Sequence, residues 1–405
     1  MFQALNKFEV QYSRVEGFSA DSARYMTLCF RLLKALVNPN MVHLQCWAHK
    51  LDKVAKVFSE KLSKLNECVK NTKKLFKNAR KRKNEYVKFL KDKYAFSKAK
   101  EAKLFPQPLM IRFGSWTRSS VYLGEYLEDI CAYVETLPVD ERDSSNVRYF
   151  DSLTAEDVEV ILTEAAFVKE YNESVCNLLA LVEGTRYPMA HKLYPKLKEL
   201  LAEMSVLCDA PDLTTVLKPK TKQCLNALSG SKATTVKVRM QETAKECHAT
   251  LTRLLSTDSG KEFFSAVETL FHPPKMLSND LTDPNVLLDA KRDINLLSSV
   301  PDSEFLVLYA LLKDEVRNAL EKSKPDDKID IVELVLIGFK ATNVEFAVMC
   351  LKVLYMSVSN IDCEGGFSAY GDVLSPKRCR LLPENAETML SLYFGDDLDM
   401  PLLRW

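Results

Sequence analysis

Long apolar runs are missing from this chain. No stretch approaches the roughly 20 consecutive apolar residues that a membrane-spanning helix needs, so no membrane partner is expected. The opening residues, MFQALNKFEV, have neither the charged head, the apolar run nor the small-residue cleavage site of a secretory signal. Glycine and proline are sparse, 11 and 16 in 405 residues, which argues against long disordered tracts. The 11 cysteines follow no disulfide framework, and no second Cys/His pair accompanies Cys46 and His49, so neither a stapled secreted domain nor a zinc site is indicated. No period of 20 to 50 residues marks a solenoid. These absences predict a chain of a reducing compartment, cytosol or nucleus.

What is present fits a compact fold: 47% apolar and 27% charged residues over a length that suggests two or three domains or one interrupted domain. The net charge of +1 conceals two opposite blocks. Residues 70–103 hold fourteen Lys/Arg against three acids, and residues 121–174 hold fourteen acids against three bases. The patterning reads strand, helix, strand, helix up to about residue 60: strand-like residues lead to Asp21, a helix runs from there to Leu36, MVHLQCWAH is a short buried strand, and a helix follows from Ala48. Beyond residue 60 strand signals nearly vanish. Helices are predicted over 72–93, 115–136, 154–183, 190–208, 302–322, 328–338 and 341–358, with breaks near 104–110, 137–146, 228–235 and 271–285.

Several residues could carry chemistry, and each has a plainer role beside it. Asp21, at a strand end and a helix mouth, can cap the helix or reach a metal. Cys46 reads as core at a strand end, and His49 as either a satisfied structural histidine or a phosphate-facing donor. Arg80, Lys81, Arg82 and Lys83 form a run that could neutralise phosphates without reading sequence, or face water on a packed helix whose apolar seam is Leu75, Phe76, Ala79, Tyr86, Phe89 and Leu90. Arg112, Phe113 and Trp116 combine a guanidinium with aromatic faces, the combination that grips an unstacked base, although packing at a helix start uses the same residues. Glu364 lies among apolar residues and beside Gly365 and Gly366. A carboxylate there is costly unless paired or bound to a metal, and the glycines suggest a close approach.

In this order the motifs resemble those of the hAT superfamily of transposases. The resemblance rests on FSADSARYM around Asp21, VHLQCWAH, LFKNARKRKNEYVKFL, IRFGSW as a variant of Thr-Arg-Trp-Asn-Ser-Trp, FHPPKM, and SNIDCEGGFSAYGDVLSPKRCRLLPENAETML. They are collinear over almost the whole chain. The resemblance implies an α/β fold with predominant α, an incomplete RNase H-like core interrupted by a large helical insertion. It divides the chain into 1–60 (late core strands and helices), 61–340 (insertion) and 341–405 (core helices and dimerisation region). Asp21 would correspond to the second catalytic carboxylate and Glu364 to the last, together holding Mg2+ or Mn2+, with His49 near the scissile phosphate. The first aspartate belongs on a core strand upstream of Asp21, and only twenty residues precede it here. Phe113 stands where relatives stack a tryptophan on a flipped base, and Gly365 where they carry an arginine. The resulting expectation is a nuclear, DNA-binding, self-associating chain derived from a transposase and lacking strand transfer. An active transposase with further N-terminal sequence, or a helical protein-interaction scaffold, are the competing expectations.

Overall fold

The computed structural model describes residues 11, 15–21, 23–95, 101–108, 114–142, 145–184, 188–278, 281, 283–322 and 330–359. Two short strands, β1 (Gly17–Ala20) and β2 (Val42–Gln45), pair in parallel, Gly17 opposite Val42 and Ala20 opposite Gln45. The crossover between them is helix α1 (Arg24–Leu36). A parallel pair needs such a crossover, and sparse turn residues between Asp21 and Leu36 leave room for little else. The loop back to β2 is fixed by Asn38, whose Oδ1 accepts the Asn40 N–H (2.9 Å) and whose Nδ2 donates to the Val15 carbonyl (3.1 Å).

Every regular element after β2 is a helix among the described residues, and 101–108 is irregular. The longer helices are α2 (Trp47–Lys61), α3 (Ser63–Phe76), α4 (Arg80–Lys93), α5 (Ser115–Glu135), α6 (Ser145–Asp151), α7 (Ala155–Phe167), α8 (Glu173–Glu183), α9 (Ala190–Asp209), α10 (Pro219–Ala227), α11 (Gly230–Ser256), α12 (Lys261–Phe271), α13 (Pro284–Arg292), α14 (Asp302–Lys322), α15 (Ile331–Phe339) and α16 (Val344–Leu354). Helix α2 leaves β2 directly and packs against α8 and α11, while α9 packs on α11 and α12, and α14, α15 and α16 stack in sequence. One continuous apolar core runs from Leu44 to Val358. A π-helical turn, Val168–Asn172, joins α7 to α8; within it the Asn172 amide donates to the Ala55 carbonyl (3.3 Å) and to Thr117 Oγ1 (2.9 Å), tying α2 and α5 to the turn.

The predominantly α architecture and the opening strand–helix–strand–helix order agree with the sequence reading. Several elements differ, and the breaks expected over 137–146 and 271–285 hold the short helices Val139–Arg142 and Pro273–Met276. The helix expected over 72–93 is two helices, because Asn78 adopts a left-handed conformation (φ 55°) that ends one and redirects the chain into the next. The break expected over 228–235 is confined to Leu228 and Ser229. Helix α11 starts at Gly230 and continues for 27 residues, with Thr234 and Thr235 hydroxyls donating back to the carbonyls of Gly230 and Ser231.

Candidate functional site

In a parallel pair both C-terminal ends lie on the same side, so β1 and β2 deliver their following residues to one edge. Cys46 N–H donates to the Ala20 carbonyl (2.7 Å), which brings Cys46 alongside the residue preceding Asp21. Asp21 is half-buried and its Oδ1 accepts the Ala23 N–H (3.0 Å), which closes a turn ahead of α1; the cap position itself is Ala23, which makes no side-chain bond to the helix. Cys46 is 1% exposed and belongs to the core, as its position at a strand end suggested. His49 sits half-buried on the first turn of α2.

The C-terminal end of the described chain arrives at this same edge. Trp47 N–H donates to the Val358 carbonyl (3.0 Å). Gly17 lets the approach happen: a Cβ there would stand 3.2 Å from Met356 Sδ and 3.9 Å from Leu44 Cδ1. Beneath the edge lies a buried charged network. Lys50 and Asp258 pair at 2.7 Å with side chains 2% and 0% exposed, and Asp258 Oδ2 also accepts from Trp47 Nε1 (3.2 Å) and the Tyr194 hydroxyl (2.7 Å). The Lys50 ammonium lies 4.4 Å from the centre of the Trp47 ring. Burial lowers the Lys50 pKa, and the Asp258 charge opposes that shift; burial and then the Asp258 charge push the Tyr194 phenol far up, so it remains a donor. Asp258 therefore joins α2, α9 and the α11–α12 turn, and holds Trp47 where it meets Val358. The sequence carries a sign of it: Lys50 falls on the face shared by Trp47, Leu51, Val54 and Phe58.

The basic block splits into engaged and unengaged cations. Arg82 turns inward, donating from Nη2 to Glu141 Oε2 (3.0 Å) and from Nη1 to the Leu75 carbonyl (3.2 Å). The Arg82 guanidinium accordingly holds the Glu141 carboxyl below its usual range. Lys81 lies 3.7 Å from both Glu85 and Glu141, and Lys93 pairs with Asp129 at 2.7 Å. The two oppositely charged blocks of the sequence thus meet between α4 and its neighbours. Arg80 is exposed and Lys83 half-buried. Lys70, Lys74 and Lys77 line one side of α3 and its C-terminal cap, and Lys88 and Lys91 follow Arg80 along α4. All six of Lys70, Lys74, Lys77, Arg80, Lys88 and Lys91 are exposed, and none makes an ion pair among the described residues. Five of them lie outside the Arg80–Lys83 run; their helical spacing was the available signal.

Trp116 is half-buried against the core, and its Nε1 donates to Asn66 Oδ1 (3.1 Å), so its indole packs α5 on α3. Arg112, Phe113, Glu364, Gly365 and Gly366 lie outside the described residues. No known family model matches the chain, and no curated protein matches it significantly. Among the described residues no group of three or more His, Cys, Asp or Glu side chains could hold a metal ion. Asp21, the expected Mg2+ or Mn2+ ligand that falls among the described residues, has one oxygen already accepting a backbone N–H. No helix of the described residues is long and apolar enough to cross a membrane.

Proposed function

We propose that the chain is a nucleic-acid-binding, self-associating protein derived from a hAT-type transposase, with β1, α1, β2 and α2 as late elements of an RNase H-like core. The observation that carries the reading is the junction at the ends of the two strands. Asp21 follows β1, Cys46 is bonded to Ala20, and Trp47 is bonded to Val358, six residues before Glu364. Six extended residues span at most roughly 20 Å, so the length of chain after Val358 allows Glu364 to reach the edge where Asp21 stands. Two carboxylates brought together there could share a divalent cation, the arrangement the resemblance implies. Binding is the activity proposed because the exposed cations of α3 and α4 support it directly.

The nucleic acid would lie along the exposed cations of α3 and α4, which offer a sequence-independent phosphate contact. Self-association would use the stacked helices at the C-terminal end of the described chain, where Val307, Leu311, Leu334, Ile337 and Val344 are exposed. A nuclear location accompanies this reading. Fluorescence anisotropy with a labelled DNA duplex at low salt tests it: salt-sensitive binding is expected, and no binding at low salt would overturn it. Strand cleavage in Mg2+ or Mn2+ that disappears in Asp21→Ala and Glu364→Ala would instead favour an active transposase.

A further inference from the structure

Helix α1 carries more apolar surface than its strand pair covers. Leu33 and Val37 are buried, and the Phe30 ring stacks on His43 with centroids 4.5 Å apart. A second stripe, Tyr25, Leu28, Leu32 and Leu36, follows steps of three and four residues, so it runs the length of the helix on one side. These four side chains are 57–69% exposed. Isolated exposed leucines need no explanation, but a continuous stripe of four large side chains marks a contact surface. The helix is also one-signed: it contains Arg24, Arg31 and Lys34 and no acid. A second copy of α1 would bring like charges together, so the complementary partner is an acidic segment with apolar residues at helical spacing.

This chain contains one. Residues 382–399, LPENAETMLSLYFGDDLD, hold five acids and no Lys, Arg or His, and Leu382, Ala386, Met389, Leu390 and Tyr393 recur at helical spacing. We propose that residues 382–399 dock on the Tyr25–Leu36 stripe of the same chain. The tether favours this: Val358 is fixed to Trp47 at the edge from which α1 departs, and 22 residues separate Ser359 from Leu382. A tether of that length reaches the stripe easily and gives an effective concentration on the order of millimolar. Arg31 and Lys34 then face Glu384 and Glu387 or the later aspartates, and the apolar stripe leaves water. The docking depends on neither nucleic acid nor metal.

Hydroxyl-radical footprinting of the full chain, read by mass spectrometry at Tyr25, Leu28, Leu32 and Leu36, tests this. The variant Leu390→Asp/Tyr393→Asp should oxidise several-fold faster than wild type at these four positions, with the Trp47 and Phe58 peptides unchanged. Arg31→Glu/Lys34→Glu should likewise raise oxidation, and adding Glu384→Lys/Glu387→Lys should restore protection, a rescue that general destabilisation would not give. Wild-type protection should persist on dilution through the micromolar range. Equal oxidation in wild type and variant, absence of rescue, or protection that grows with protein concentration as for a second copy, would each overturn the proposal.

Discussion

Neutralising Lys74, Lys77 and Arg80 together, as the glutamine triple variant, should reduce the salt dependence of DNA binding without unfolding the chain. All three are exposed and make no ion pair among the described residues. If the six exposed cations of α3 and α4 each meet one phosphate, log affinity should fall with log salt at a slope of about −5, from roughly 0.9 per contact. Raising salt fourfold then weakens binding by roughly a thousandfold, and the triple variant, with a slope near −2.7, by about fortyfold. Arg82→Ala is the internal control. Its guanidinium is committed to Glu141 and the Leu75 carbonyl, so this change should leave the slope alone and cost about 1 kcal/mol of stability. Anisotropy titrations over a salt series give the slopes, and urea melts give the stabilities. A triple variant with the wild-type slope, or an Arg82→Ala variant whose slope drops by about one unit, would refute the reasoning.

Removing the Asp258 carboxylate by substitution with alanine leaves Lys50 charged, buried and without its partner. It should cost about 3–5 kcal/mol, measured as a lower urea midpoint, and replacing both Lys50 and Asp258 by apolar residues should cost less than Asp258→Ala alone. Gly17→Val places side-chain atoms against Met356 and Leu44. About 1–3 kcal/mol of overpacking is expected, with faster hydrogen exchange over 352–359. Burial lowers the pKa of His43 and of His272, the latter with help from His191. Both fold in the neutral form while the unfolded chain binds the proton more readily, so stability should be full above the unfolded value near 6.5 and decline as pH falls below it. Thermal melts between about pH 7.5 and 5.5 should therefore show falling stability. His43→Phe should flatten part of that decline.

The helices at 115–135, 155–183, 190–209, 302–322, 331–339 and 344–354 were legible because their apolar residues recur at a helical period, whereas Pro219–Ala227, Gly230–Ser256, Lys261–Phe271 and Pro284–Arg292 lie in or between stretches rich in turn residues and were not individually placed. Asn78 was not legible: asparagine tolerates both the helix and the left-handed turn, and the flanking charges keep the helical pattern going across it. The inward turn of Arg82 was hidden for a different reason, since Glu141 lies 59 residues away and pairing across that separation leaves no local pattern. Lys50 did leave one, a cation within an apolar stripe, but its partner Asp258 is 208 residues distant. Of the candidate site, the position of Asp21 at a strand end and the burial of Cys46 followed from the pattern around them. The meeting of Trp47 with Val358 is a tertiary contact that neither segment announces.

The central claim, that positions 21 and 364 share the edge at the ends of β1 and β2, is most directly tested by replacing Glu364 with a photoreactive benzoylphenylalanine in the full chain and mapping the crosslinks by mass spectrometry. Adducts within residues 19–24 and 45–49 are predicted. Adducts confined to the outer faces of α3, α4 or α5 would contradict the account.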